Sequence, residues 1–359
     1  MFGASKIIAA FAIVGSAIAT VAIATTYAHA AVLVGETSTI EVAKSAAPTA
    51  DKLRADYRRP KFVPFPKDNP YTPEKATLGK TLYFDSRLSK AELLSCASCH
   101  SPAYAWGDGQ PTGVGHLMKR LGRRSPTIVN AAYGLIFMWD GRMGSLEEQA
   151  LGPIQAEAEM SLPLPELLKR LNNIAEYKPL FDAAYPGQGI SDKTIAGAIA
   201  TYERTVVSAR APFDSWIEGK DKAISESAKR GFMLFNAKAQ CSACHSGWRF
   251  TDDSFHDIGL KSTDIGRGKF FEGVQKANHA FKTPGLREIV RRAPYMHDGS
   301  LPTLEAVVDH YNSGGIARDS RSDLVKPLGL SSEEKADLVA FMKTLTGEAD
   351  PTTVPVLPR

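Results

Sequence analysis

Two short stretches, CASCH (residues 96–100) and CSACH (residues 241–245), dominate the interpretation of this chain. In each stretch a histidine directly follows the second of two cysteines that are separated by two residues. A cysteine pair alone is also typical of a redox disulfide or a zinc site, but the adjoining histidine in both copies is typical of covalent haem c attachment. The sequence therefore predicts two haem c groups on one polypeptide.

Each motif supplies the groups that hold a porphyrin from one side. Its two thiols bond to the vinyl groups, and its histidine lies below the iron as the proximal ligand. The chain has 4 cysteines, and all of them lie in the motifs, so none remains for a disulfide elsewhere. The predicted attachment and proximal residues are Cys96, Cys99, His100, Cys241, Cys244 and His245.

The N-terminus predicts export. An apolar run from Ile7 to Ala24 follows Lys6 and precedes the small-x-small triplet Ala28-His29-Ala30. This is the layout of a signal peptide cleaved after Ala30, and the alternative is an uncleaved membrane anchor, because about 18 apolar residues can just span a bilayer. Both interpretations place the remaining chain outside the cytoplasm, and we expect the periplasm.

Composition narrows the class of protein further. At 359 residues the chain is long enough for two domains, and 43% hydrophobic with 23% charged residues is ordinary for a globular protein. A net charge of +4 without a block of basic residues argues against nucleic-acid binding.

The surroundings of the two motifs are also repeated. A glycine-containing amphipathic stretch precedes each motif, at 78–85 and 228–236, and a longer helical pattern closes each half, at 191–208 and 331–347. We therefore predict an all-α protein of two cytochrome c-like domains, each with one covalently bound haem. The predicted segments are a signal peptide at 1–30, a flexible leader at 31–58, an N-terminal domain at 59–212 and a C-terminal domain at 213–350.

Several stretches in a fixed order resemble the bacterial di-haem cytochrome c peroxidases and their MauG-type relatives. The resemblance covers residues 60–348 and implies that the N-terminal haem reacts with peroxide while the C-terminal haem handles electrons. The stretches are LSCASCHSP (94–102), RRSPTIVNAAY (123–133), FMWDGRMGSLEEQALGPIQAEAEM (137–160), IATYERTVVS (199–208), CSACHSG (241–247), FKTPGLREI (281–289) and APYMHDGSLPTLEAVV (293–308).

The resemblance implies roles around the first haem. Glu159 matches the glutamate that moves a proton between the peroxide oxygens, and Gln149 and Pro153 match residues of the same pocket. The alternative for Glu159 is a solvated surface carboxylate. Trp139 matches a tryptophan between the haems that relays electrons, and its alternative is core packing. His116 matches a histidine that caps the resting iron in conventional peroxidases and is generally absent from MauG-type enzymes; its alternative is a surface residue.

The stretch TLEAVVDHYNSGG (303–315) predicts which side chain faces the second haem. Tyr311 belongs to an apolar helical face, whereas His310 is turned about 100° away, beside Asp309. The face consists of Leu304, Val307, Val308 and Tyr311.

By resemblance, Tyr311 is the sixth ligand of the second iron, where conventional peroxidases have a methionine and MauG-type enzymes a tyrosine. A phenolate favours ferric iron, whereas a thioether raises the potential. Tyr311 could instead only pack on the porphyrin. His297 matches a histidine that hydrogen-bonds a haem propionate, and His256 and His279 are interpreted as surface residues. The alternative ligands are Met296 and Met342.

Calcium is expected to bind weakly or not at all. The family often holds this ion with an asparagine before the Ser-Pro pair and with carbonyls ahead of the PYxHDG motif. Here Arg124 replaces the asparagine, and a guanidinium cannot chelate a cation.

Three functions follow from these patterns. The first is a periplasmic di-haem peroxidase that reduces hydrogen peroxide to water with electrons from a small cytochrome or copper protein. The second is a MauG-type oxidase that uses peroxide to oxidise Trp or Tyr residues of a partner protein. The third is an electron carrier without chemistry of its own. A homodimer is a further expectation, because dimers are common among relatives.

Overall fold

The computed structural model describes residues 50–348 and 351–359, so the predicted signal peptide and most of the predicted leader lie outside the described residues. The described chain is mainly helical, as predicted, and its strands form one antiparallel pair that joins Phe255 to Lys282 and His256 to Phe281. No helix in this part of the chain has both the length and the apolar character that crossing a membrane requires.

The helices and strands follow one another with many short 3₁₀ turns between them. The helices are α1 (Ala50–Asp56), α2 (Pro73–Phe84), α3 (Cys96–Cys99), α4 (Leu146–Gln155), α5 (Leu164–Asn172), α6 (Tyr177–Ala184), α7 (Asp192–Thr205), α8 (Pro212–Ile217), α9 (Glu226–Asn236), α10 (Leu304–Ser313) and α11 (Ser332–Lys343), and the strands are β1 (Phe255–His256) and β2 (Phe281–Lys282).

Local signals in the sequence explain where the main helices begin. The Thr72 side chain accepts a hydrogen bond from the backbone N–H of Lys75 at 3.2 Å, and Pro73 occupies the first position of α2, where its missing N–H costs nothing. At α11 the predicted capping box is present. The Ser331 hydroxyl accepts from the N–H of Glu334 at 3.2 Å, and the Glu334 carboxylate accepts from the N–H of Ser331 at 2.8 Å.

The compact described chain contains two hydrophobic cores. In the first, α2 packs on α7, and in the second, α9 packs on α11. Both crossings use a glycine: a Cβ on Gly79 would lie 1.9 Å from the Ala198 carbonyl oxygen, and a Cβ on Gly231 would lie 1.9 Å from that of Asp337. The repeated sequence plan therefore corresponds to a repeated helix crossing.

This close approach makes Gly231→Ala strongly destabilising. We expect the free energy of unfolding to fall by about 3 kcal/mol, because the added methyl group meets a backbone atom that cannot rotate away. Gly152→Ala in α4 is the matched control, since its nearest neighbour is the flexible Cε of Met143 at 3.2 Å. Chemical denaturation of both variants checks this, and equal stability of the two would contradict it.

Residues 50–58 differ from the predicted flexible leader. They include α1, and the ring of Tyr57 is only 3% exposed in the second core. Tyr57 stacks on Phe250 at 4.9 Å between centroids and donates to Asn236 Oδ1 at 2.8 Å. Part of the assigned leader is thus folded onto the C-terminal half, because an aromatic residue there completes that core.

Candidate active site

His100 is fixed through one of its ring nitrogens. It directly follows α3, whose first and last residues are Cys96 and Cys99. Its Nδ1 lies 2.7 Å from the carbonyl oxygen of Pro126, which can only accept, so Nδ1 carries the proton and Nε2 keeps its lone pair. The Tyr83 hydroxyl donates to the His100 carbonyl at 2.9 Å. This is the tautomer that a proximal iron ligand needs.

His245 repeats this arrangement in the second half of the chain. Its Nδ1 donates to the carbonyl oxygen of Phe250 at 2.8 Å, which again leaves the lone pair on Nε2. Burial lowers the pKa of both His100 and His245, so both rings are neutral at physiological pH. A neutral imidazole with a free Nε2 can bind iron.

The cysteines of the two motifs are half-buried free thiols, and no disulfide links them. Each pair brackets a single helical turn that its histidine follows, from Cys96 to His100 and from Cys241 to His245. The thiols are therefore free to form thioether bonds, as both motifs predict.

One continuous space, called the shared cavity below, connects the two halves. Its volume is about 300 Å³, and it is partly open to solvent. Both His100 and His245 line it, although they are 145 residues apart in sequence. Its other lining residues include Arg124, Trp139, Gln149, Glu203, Cys241, Cys244, His256, Arg292, Met296, His297 and Tyr311.

The shared cavity contains buried nitrogen atoms that could donate hydrogen bonds to a porphyrin. Three buried atoms have no hydrogen-bond partner in the part of the chain that the structure describes: Nε of Arg124, Nε of Arg292 and Nε2 of His297. Burial lowers the pKa of Arg292 to about 10, so this guanidinium stays charged at neutral pH. Within the described residues neither arginine forms an ion pair, and the propionates of a haem are carboxylates that would supply the missing charge. The residues present fit the predicted haem groups.

Trp139 is held rigidly between segments from both halves of the chain. Its Nε1–H donates to the Arg124 carbonyl at 2.8 Å, and its own carbonyl accepts from the N–H of Lys282 at 2.8 Å. Its ring meets His297 edge-on at 6.4 Å between centroids, and His297 stacks on Phe281 at 3.5 Å. This position agrees with the predicted relay, which stays a prediction.

Arg124 occupies a polar junction that the sequence analysis connected with calcium. Its Nη2 donates to the carbonyl oxygen of Arg292 at 2.6 Å, and its backbone N–H donates to the carbonyl of His297 at 2.8 Å. A guanidinium therefore contacts a carbonyl that directly precedes the APYMHDG stretch.

The predicted peroxide-side residues are only partly brought together. Gln149 lines the shared cavity and its Nε2 lies 3.9 Å from Met138 Sδ. Glu159 does not line that cavity, but burial raises its pKa, and its charge acts on Cys99. His116 is half-exposed and also lies outside the cavity lining, while its N–H donates to the Ala158 carbonyl at 3.1 Å. This backbone hydrogen bond holds the segment that contains His116 against the segment that contains Glu159.

On α10 the two neighbouring candidates point in different directions. His310 Nε2 donates to the carbonyl oxygen of Ile258 at 2.9 Å, whereas Tyr311 lines the shared cavity, as the helical spacing predicts. Burial raises the pKa of the Tyr311 phenol, and the thiols of Cys241 and Cys244 add to this shift. Met296 and Met342 line the same cavity, so both alternative sixth ligands stay open.

Two titratable residues of the cavity lining, His256 and Glu203, are placed where the sequence did not predict them. His256 was interpreted as a surface residue, yet it lines the shared cavity and its Nε2 lies 3.0 Å from Asp252 Oδ2. The bond to Asp252 raises the pKa of His256 to about 10. Glu203 is 4% exposed, and burial raises its pKa to about 8. No sequence pattern singled out Glu203, which is buried on α7 beside Arg204, a residue that is buried as well.

This arrangement defines the class of protein: a helix-rich protein in which the histidines of two Cys-x-x-Cys-His motifs line one cavity. A family model described as "Di-haem cytochrome c peroxidase" matches residues 73–222. The chain is 51% identical over 309 residues to the protein named "Methylamine utilization protein MauG" from Methylorubrum extorquens, covering 85% of this chain and 88% of that protein. It is 33% identical to the "Cytochrome c551 peroxidase" of Pseudomonas aeruginosa, covering 83% of this chain and 87% of that protein.

A solved structure gives the same result. The crystal structure of "a MauG-like protein associated with microbial copper homeostasis" superposes with a TM-score of 0.76 at 32% identity, and covers 81% of this chain and 95% of that chain. The chain belongs to the di-haem cytochrome c peroxidase and MauG family, and it is an oxidoreductase. The resemblance seen in the sequence is thereby confirmed.

Proposed function

We propose that this protein is a periplasmic di-haem c enzyme that reduces hydrogen peroxide at the His100 haem and passes electrons through the His245 haem. The observation that carries this proposal is the shared cavity, which both proximal histidines line with their Nε2 lone pairs free. When bound, the two haem groups supply the redox chemistry. We further propose the predicted division into domains at 59–212 and 213–350, in agreement with the two cores.

The protein's own residues supply proton transfer and positioning. In this proposal the Glu159 carboxylate accepts a proton from one peroxide oxygen and returns it to the other. The Gln149 amide orients the peroxide. Trp139 lines the shared cavity together with both proximal histidines, and its orientation is fixed because its indole N–H and its carbonyl are both hydrogen-bonded. A rigid aromatic ring there shortens the distance over which an electron moves.

The peroxidase and the MauG-type alternative differ in the source of their electrons. A peroxidase draws them from a small periplasmic cytochrome or copper protein, whereas a MauG-type enzyme draws them from Trp or Tyr residues of a partner protein. The inward-facing phenol of Tyr311 favours the second source, because a hard anionic ligand makes the second haem a poor acceptor from ordinary cytochromes. Identity of 51% to a protein named MauG, against 33% to a cytochrome c551 peroxidase, favours it as well.

The electron paramagnetic resonance spectrum of the purified holoprotein tests these proposals. The MauG-type alternative, which the 51% identity favours, predicts a high-spin ferric signal in the resting protein. This signal should respond to peroxide without prior reduction. A high-spin signal that appears only after one-electron reduction would instead support a His116-capped peroxidase. Two low-spin haems at every stage, without any response to peroxide, would leave only the electron carrier.

We also propose that calcium is not needed. The Arg124 guanidinium already donates to the Arg292 carbonyl, and a cation beside it would be repelled. Treatment with a chelator should therefore leave the visible spectrum and the peroxide response unchanged. Stoichiometric calcium in purified holoprotein would contradict this proposal.

A further inference from the structure

Glu203 is a buried carboxyl group that none of the predicted roles uses. It lies on α7, is 4% exposed, and lines the shared cavity together with His100. Its Oε2 is fully buried and has no hydrogen-bond partner among the described residues. Burying a carboxylate without a partner costs several kcal/mol, so such groups either become neutral or serve a function.

Arg204, the cationic residue next to Glu203 in the sequence, forms its ion pair with a different carboxylate, that of Glu147. The Arg204 guanidinium donates to the two carboxylate oxygens of Glu147 at 2.6 and 2.9 Å, and Glu147 also accepts from Asn69 at 2.8 Å. Arg204 thus forms a bidentate pair that leaves Glu203 without an ion-pair partner in the described chain. Glu147, on α4, adds a second negative charge near Glu203.

The remaining titratable groups around Glu203 are neutral at physiological pH. Tyr83 of α2 and Cys96 of α3 both interact electrostatically with it, as does Tyr202 of its own helix. Burial raises the pKa of all three groups well above neutrality. With haem bound, the Cys96 sulfur would be a thioether without a titratable proton, and Arg204 and Glu147 are paired with each other. Among these neighbours in the described part of the chain, Glu203 is the group whose charge can change near neutral pH.

We propose that Glu203 is a redox-linked proton site of the first haem, which takes up a proton when the His100 iron gains an electron and releases it when the iron is oxidised. This inference rests on the proposed function, because it needs a haem at His100. The electron arrives through the second haem and the proton comes from solvent. The proton adds to a carboxylate oxygen of Glu203, and no other bond changes.

The physical reason is charge compensation: in a low-dielectric interior, uptake of a proton balances the negative charge of the added electron. Reduction removes one positive charge from the iron, and a nearby buried carboxylate then loses the attraction that kept it ionised. Proton uptake keeps the local charge constant, which spares the cavity an unpaired negative charge. At neutral pH the carboxyl is poised for this exchange, since burial raises its pKa to about 8.

A spectroelectrochemical titration of the holoprotein from about pH 6 to pH 10 tests this inference. We expect the midpoint potential of the first haem to fall as the pH rises, with a slope that approaches about 59 mV per tenfold change in proton activity. In Glu203→Gln the slope should disappear and the potential should stay near the wild-type value at low pH, because glutamine remains neutral. The second haem is the internal control, and its pH dependence should be the same in both proteins.

Two results would overturn the inference. One is the same slope for the first haem in wild type and Glu203→Gln. The other needs no variant, and it is a flat potential in the wild type over the whole pH range. A pyridine haemochrome assay that finds fewer than two haems per chain would contradict the proposed function instead, so the two failures are distinguishable.

Discussion

Replacing Glu159 by Gln is expected to slow peroxide reduction by about 10²–10⁴-fold, the usual contribution of a positioned acid–base group. The amide keeps the shape of the side chain but cannot accept the peroxide proton. Burial raises the pKa of the Glu159 carboxyl, with Arg142 acting in the opposite direction. The carboxylate form is the base, so the wild-type rate should rise with pH through this raised pKa, and the variant should lose that rise.

Glu157→Gln is the matched control for this prediction. It removes the same group two positions earlier in the same segment, but Glu157 is exposed to solvent. We expect its rate of peroxide consumption to match that of the wild type, as measured by stopped-flow spectroscopy. If Glu159→Gln also keeps the wild-type rate and pH profile, Glu159 has no part in the proton transfer.

Replacing Tyr311 by Met is expected to raise the midpoint potential of the second haem by a few hundred millivolts. Axial ligands set haem potentials over a range of about 0.8 V, and exchange of an anionic phenolate for a thioether favours the ferrous state. Burial raises the pKa of the free phenol, so the phenolate forms only when the charge of a ferric iron offsets that cost. Potentiometric titration of the holoprotein measures the shift.

Two further variants identify the ligand. Tyr311→Phe keeps the ring but removes the oxygen, and it should convert the second haem to a five-coordinate spectrum. Met296→Leu should leave that spectrum unchanged, although Met296 lines the same cavity. The reverse pattern, a spectral change in Met296→Leu and none in Tyr311→Phe, would assign the sixth position to the thioether.

Much of the fold and site follows from short-range patterns. The capping box of Ser331 and Glu334 starts α11 where it was predicted, because its atoms are three residues apart. The spacing of α10 predicted that Tyr311 and His310 face different ways, since helical periodicity alone decides this. Such predictions succeed because the interacting groups belong to the same helical turn.

Contacts between residues far apart in the sequence explain the structural features that local patterns did not predict. Tyr57 reaches Asn236 across 179 positions, which is why the assigned leader was too long. The C-terminal residues, which lie beyond the predicted second domain, also contact the N-terminal half of the described chain. There the N–H of Arg359 donates to the Glu176 carboxylate at 2.6 Å, and Arg87 donates to the Pro358 carbonyl at 2.9 Å. No local pattern predicts such contacts, because they depend on where distant segments meet.

The sequence by itself determined the features that depend on residues close together in the chain. These are two Cys-x-x-Cys-His motifs, a helical architecture around them, and a tyrosine on the inner face of α10. Only the tertiary structure decided that the histidines of both motifs line one cavity and that Arg204 is paired with Glu147. It also decided that, within residues 50–348 and 351–359, Oε2 of Glu203 has no hydrogen-bond partner. The reason is that motif chemistry and helical periodicity act over a few residues, whereas burial and pairing of charge depend on segments that are far apart in the chain.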